Sequence, residues 1–153
     1  MPADNPPALL GRILSLLPEA VKISDGAVGP APDWKGAYAL AMNLNEPLVL
    51  SHRQADHLLA PGWYAYAGSA YGPGGVGARL RRHFRREKKL HWHVDRITTV
   101  ASRIHAVALE GGSECDIVRR LIDSQSFDTP LEGFGNSDCR SCRSHLLRWR
   151  PQA

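Results

Sequence analysis

Cysteine is scarce in this sequence: Cys115, Cys139 and Cys142 are its three in 153 residues. An odd, low count argues against a disulfide scaffold and for a reducing, cytoplasmic setting. Long apolar runs are missing too. The apolar stretch at 9–17 is too short and too interrupted to span a bilayer, and no basic segment precedes it as a secretory leader requires. The glycine-rich stretch GPGGVGAR lacks the GK[ST] ending of a phosphate-binding loop. Its glycines at 72, 74, 75 and 77 also miss the GxGxxG spacing of a dinucleotide fold, so a nucleotide cradle is not expected there. Internal repeats are absent as well.

The chain does have enough apolar residues, 43%, for one ordinary core, and a length that suits one domain. Its charge is concentrated. Between 79 and 96 stand Arg79, Arg81, Arg82, Arg85, Arg86, Lys88, Lys89 and Arg96 against Glu87 and Asp95, a local excess of six that exceeds the +4 of the whole chain. One concentrated basic patch is the footprint of a polyanion partner, although a solvated helix face looks the same by charge alone.

Residues 1–34 carry six of the eleven prolines and read as an extension, with one short amphipathic helix at 8–17 and a Pro/Gly linker after it. From Gly36 the pattern changes. GAYALAMNL alternates as a strand, with Tyr38, Leu40, Met42 and Leu44 on one face and Ala37, Ala39 and Ala41 on the other. PLVLS reads as a short returning strand, HRQADHLLAPG as a polar connection, and WYAYAGS as a further strand. Helices are predicted at 76–87, on the stripe Val76, Leu80 and Phe84, and at 90–100. A strand follows in ASRIHAVALEGG. Ser113 and Asp116 resemble a capping box that starts another helix, FDTPLEGFGNSDC reads as loop, and SHLLRW as a closing strand. Strands early and helices later, without regular alternation, predict an α+β fold: a small, mostly antiparallel sheet flanked by helices, spanning 35–150.

Several residues bear chemistry, each beside a plainer use. Arg79 and His83, four apart, share one helix face; Arg82 and Arg86 form a neighbouring pair. Arginine's planar fork suits phosphate, and histidine exchanges protons near neutral pH. A histidine on a basic helix is more often simply exposed. Tyr38 and Tyr66 meet if their strands pair, but strand tyrosines are mostly packing. Glu114 in a first helical turn complements the dipole whatever else it does. Cys139, Cys142 and His145 have C-x2-C-x2-H spacing, short of a full zinc set unless Cys115 joins. His91, Trp92 and His93 put an aromatic on a basic segment, an arrangement suited to stacking on unpaired bases.

The order of these elements is more specific than any one of them. GAY at 36–38, YAYAGSA at 64–70 and ARLRRHF at 78–84, followed by the acid in SECD and by GFGNSDCRSCRSHL, resemble the Uri-type branch of the GIY-YIG nuclease superfamily over 35–149. Alanine replaces the isoleucine of both name-giving motifs, which touches packing and leaves the tyrosines in place. The resemblance implies a metal-dependent DNA endonuclease that hydrolyses phosphodiesters. Tyr38, Tyr66, Arg79 and His83 would be its catalytic group, and Glu114 would hold Mg2+ or Mn2+. Gly68, Ser69, Arg82, Arg86, Lys88, Lys89, His91 and Trp92 would bind nucleic acid, with Trp92 favouring single-stranded DNA. The alternative is a non-catalytic nucleic-acid-binding module.

Overall fold

The computed structural model describes residues 7–23, 33–52, 54–90, 92–131, 134 and 144–150. Strand β1 (Val21–Ile23) follows helix α1 (Ala8–Leu16). Then come β2 (Gly36–Leu44), β3 (Leu48–His52), β4 (Ala55–Leu59) and β5 (Gly62–Ala70). Helices α2 (Gly75–Phe84) and α3 (Asp95–Thr98) precede β6 (Arg103–Glu110). Helix α4 (Glu114–Asp123) and strands β7 (Phe127–Asp128) and β8 (Leu146–Trp149) complete the set. Six strands form one sheet in the order β1-β6-β2-β5-β8-β7, while β3 and β4 pair apart as a two-stranded sheet; every pairing is antiparallel. The expected α+β class with a mostly antiparallel sheet is what the chain adopts. None of the described helices is long and apolar enough to cross a membrane.

The alternation in GAYALAMNL becomes a sheet buried on both faces. Tyr38, Leu40, Met42 and Leu44 join Tyr64, Val76, Leu80 and Ile97 in one core. On the opposite face Ala37, Ala39, Ala41, Ala65 and Ala67 make a floor of small side chains on which α1 and α4 lie. Helix α1 buries Leu9, Leu10 and Ile13, with Leu17 just beyond its end. Burial of each such side chain stabilises by about 1.5–3 kcal/mol. The segment read as an extension thus supplies, where described, a core helix and an edge strand of the same sheet.

Four local expectations need correction. The polar stretch HRQADHLLAPG contains β4, turned back on β3 at Gln54, whose φ is 65°. Helix α2 stops at Phe84, the last residue of its apolar stripe and three residues short of the expected end at 87. Lys88 Nζ donates to the carbonyls of Arg82 and His83, the acceptors a longer helix would offer to its next two N–H groups. The helix expected at 90–100 is only α3, because Asp95, Arg96 and Ile97 bond back three residues in a tight turn. The loop-like FDTPLEGFGNSDC begins with β7, paired to β8.

The glycine loop turns the chain from β5 into α2. Gly75 has φ +63°, and a Cβ there would lie 2.2 Å from the Asp33 carbonyl oxygen. The Val76 N–H bonds the Trp34 carbonyl at 3.0 Å. Its backbone is spent on the start of β2, which sets α2 over that strand.

Candidate active site

The site forms where β2, β5, α2 and the start of α4 converge. Tyr38 pairs across the sheet with Gly68, and a Cβ at position 68 would come within 2.3 Å of the Tyr38 Cζ and hydroxyl. The missing side chain lets the phenol ring lie across the neighbouring strand. Its hydroxyl then meets His83 Nε2 at 2.7 Å, with ring centroids 5.2 Å apart. His83 is fully buried on the last turn of α2, and Tyr38 is 2% exposed. Arg79, one helical turn earlier, donates towards Tyr38, and its positive charge acts on both tyrosines. Tyr66 stands edge-on to His83 at 6.5 Å. Glu114 opens α4 behind a cap in which the Asp116 N–H donates to the Ser113 hydroxyl, as the capping box predicted. Its negative charge also acts on both tyrosines. The structure therefore brings together Tyr38, Tyr66, Arg79, His83 and Glu114, which are far apart in sequence.

Burial sets the charge state of this group. It pushes the Tyr38 phenol well above its usual range; Tyr66 adds to the rise and Arg79 opposes it. Tyr66 is raised to about 12 by burial and by Glu114, against the pull of Arg79. His83 is lowered to about 3, by burial first and then by Lys88, with Asp95 opposing. Tyr38 and His83 are consequently a neutral pair at physiological pH. Stability should reflect this. Folded His83 refuses a proton that the unfolded chain accepts near its ordinary 6.5, so its contribution is intact above pH 6.5 and is lost as pH falls towards 3. The slope approaches about 1.4 kcal/mol per pH unit. Urea-unfolding free energy should fall more steeply from pH 6.5 to 4 in wild type than in His83→Gln; parallel slopes would contradict the buried neutral imidazole.

A second network, missed at the sequence level, braces the first. Asp95 is fully buried and accepts both Arg82 guanidinium nitrogens at 2.7 Å and the Trp92 backbone N–H at 2.8 Å. Lys88 Nζ is 3.9 Å away, with its side chain only 4% exposed. The Arg79 and Arg82 guanidinium carbons lie 4.5 and 4.3 Å from the Trp92 ring centroid. Arginine stacked on an indole face is held by the ring quadrupole. The available signal was only that Asp95 is one of two acids among eight cations.

The expected nucleic-acid set is thereby divided. Arg82 serves Asp95, Arg86 donates to the Ala101 carbonyl, and Lys88 caps the end of α2. Trp92 is engaged by two guanidinium groups. Gly68 is the floor under Tyr38, and Ser69 alternates to the face that carries α1 and α4. Lys89 is exposed, together with Arg81, Arg85, Arg86 and Arg96. His91 lies outside the described residues, as do Cys139 and Cys142. Cys115 is disulfide-bonded and so is no free thiolate for zinc. His145, the remaining member of the C-x2-C-x2-H pattern, is 1% exposed, with Nδ1 at 3.4 Å from Glu114 Oε2.

Of the residues brought together here, Glu114 is the carboxylate that could hold a divalent ion. Its side chain is 21% exposed at the edge of the site, and among the described residues no three His, Cys, Asp or Glu side chains converge into a cage. One carboxylate with water completing the shell is how Mg2+ is commonly held.

Residues 37–153 match the model of the DUF123 family, described as a domain of unknown function. The chain belongs to the DUF123 family. No curated protein and no solved structure matches it. The DUF123 match begins one residue inside β2 and covers Tyr38, Tyr66, Arg79, His83, Glu114, Asp95 and His145, so the two networks lie within one family unit. Helix α1 and β1 precede the matched region.

Proposed function

We propose that this DUF123 chain is a GIY-YIG-type endonuclease that hydrolyses phosphodiester bonds in DNA with Mg2+ or Mn2+. The contact between Tyr38 and His83 carries the proposal. Tyr64, on the same sheet face, gives the comparison: its hydroxyl donates to the Ala60 carbonyl at 2.6 Å, an ordinary way to satisfy a core tyrosine. Tyr38 instead meets an imidazole and a guanidinium. A core has no need of that arrangement, whereas proton transfer beside a phosphate does.

In the proposed reaction a water oxygen bonds to phosphorus as the bond to the leaving oxygen breaks. The attacking water gives its proton to the Tyr38–His83 pair. Tyr38 hands its own proton to His83 Nε2 as it takes that of the water, with the negative charge building on the phosphate offsetting the burial that otherwise keeps His83 neutral, so no free phenolate is needed. Arg79 holds two phosphate oxygens and offsets charge as it builds. Tyr66 orients the phosphate from the neighbouring strand. Glu114 would hold the ion, which when bound stabilises charge on the leaving oxygen. The leaving oxygen takes its proton from solvent. Trp92, as placed, braces the arginines, so it does not argue for single strands, and the proposal extends to DNA of either form.

The test is cleavage of labelled single-stranded, duplex and branched DNA by the purified full chain. Cleavage should need Mg2+ or Mn2+, stop with EDTA, and weaken in Arg79→Ala and in Glu114→Ala. If both variants cut like wild type, the site is misassigned. Binding without any cleavage on the three substrates would leave a non-catalytic nucleic-acid-binding module as the function.

A further inference from the structure

We propose that His145 is a second protein ligand at the Glu114 site, giving that site one nitrogen and one oxygen donor and a preference for Mn2+ over Mg2+. The inference rests on the reading of Glu114 as the metal residue. Its own observation is the placement of the imidazole. His145 immediately precedes β8 and is fixed through its backbone: its N–H donates to the Phe134 carbonyl at 2.9 Å, and its carbonyl accepts the Ala67 N–H at 3.0 Å. The side chain is 1% exposed and directs Nδ1 at Glu114 Oε2. Glu114 is fixed in turn by the capped start of α4. Neither donor depends on a mobile side chain at a loop tip.

The 3.4 Å between the two donor atoms is the right size for a shared ion. With bonds of about 2.1 Å to each, the angle at the ion is roughly 108°, and a closing of about 0.4 Å brings the two donors to adjacent octahedral positions. The choice of metal follows from the nitrogen. Mg2+ strongly prefers oxygen and gives up water reluctantly, whereas Mn2+, although it too favours oxygen, accepts an imidazole more readily than Mg2+ does. Of the two ions a single carboxylate would take, Mn2+ gains from His145 and Mg2+ does not. A plain ion pair between the two side chains would look similar without metal, so the test must detect the nitrogen.

The probe is Mn2+ alone, titrated into the purified full chain and followed by electron paramagnetic resonance. Pulsed measurements should show 14N modulation from a directly bound imidazole in the wild-type protein. That observation needs no variant and is immune to folding defects. Mn2+ should bind at least about tenfold more tightly than Mg2+ in competition. His145→Gln should lose the 14N signal and most of the preference while keeping weak binding of both ions; Glu114→Gln should lose both ions. Mn2+ that binds in a Glu114-dependent way without nitrogen coupling, or equal affinity for the two ions, overturns the His145 ligand and leaves the nuclease proposal standing. Mn2+ binding that ignores Glu114→Gln, or no binding at all, overturns the metal role of Glu114 itself.

Discussion

Gly68→Ala should lower DNA cleavage by at least about 10²-fold while the chain still folds. The methyl carbon would stand 2.3 Å from the Tyr38 hydroxyl and Cζ, where ordinary contact needs more than 3.4 Å. The strand cannot retreat, because β5 is bonded to β2 on one side and β8 on the other. The ring must move by roughly 1 Å, and a misplacement of that size at a reacting centre costs about a hundredfold. His83 acts through that hydroxyl, so it loses its partner at the same time. Overpacking of this kind should cost about 1–3 kcal/mol of stability. Folding can be checked by circular dichroism and urea unfolding beside the cleavage rate. Wild-type activity in Gly68→Ala would mean that the phenol is not held where the proton transfer occurs.

Asp95→Ala should be the most destabilising single change in the basic segment, at about 3–5 kcal/mol. The carboxylate is fully buried and offsets Arg82 and Lys88 while capping the Trp92 N–H. Without it, burial disfavours the Lys88 charge even more; Lys88 is already lowered to about 8, by burial against the pull of Asp95. Both arginines on Trp92 would also lose their brace. For a chain of this length the loss corresponds to roughly 10 °C in Tm. Asp95→Asn keeps an acceptor for the Trp92 N–H and should fall between. Thermal unfolding of the three proteins decides it; a loss under about 1 kcal/mol in Asp95→Ala would mean that the pair is screened as a surface bridge is.

What was legible in the sequence follows from how local each signal is. Strand β2 announced itself because its alternation places large residues on one face and alanines on the other, and both faces are buried. The start of α4 was legible because a cap is written within four residues. The pairing of Tyr38 with Gly68 was only half legible: both motifs could be seen, but the reason for the glycine depends on antiparallel register, which no short segment encodes. Strand β4 was missed because one of its faces is polar and its turn at Gln54 lacks the usual Asn-Gly or Asp-Gly signature. The length of α2 was misjudged because Lys88, beyond the helix, competes for its last carbonyls. Asp95 was overlooked because a buried acid looks like a surface one until the arginine that reaches it is placed. His145 was read only with two cysteines outside the described residues, so its approach to Glu114 appears only in three dimensions.

The inward turn of Arg79, Arg82 and Lys88 changes what a nucleic acid would meet. Of the eight cations between 79 and 96, the exposed Arg81, Arg85, Arg86, Lys89 and Arg96 remain to displace the condensed ions of a phosphate backbone, together with whatever Arg79 contributes at the scissile bond. Each neutralised phosphate releases about 0.9 of a counterion from duplex DNA. The grip on DNA would then draw on five of those eight charges, and the other three keep the proton-handling pair in place.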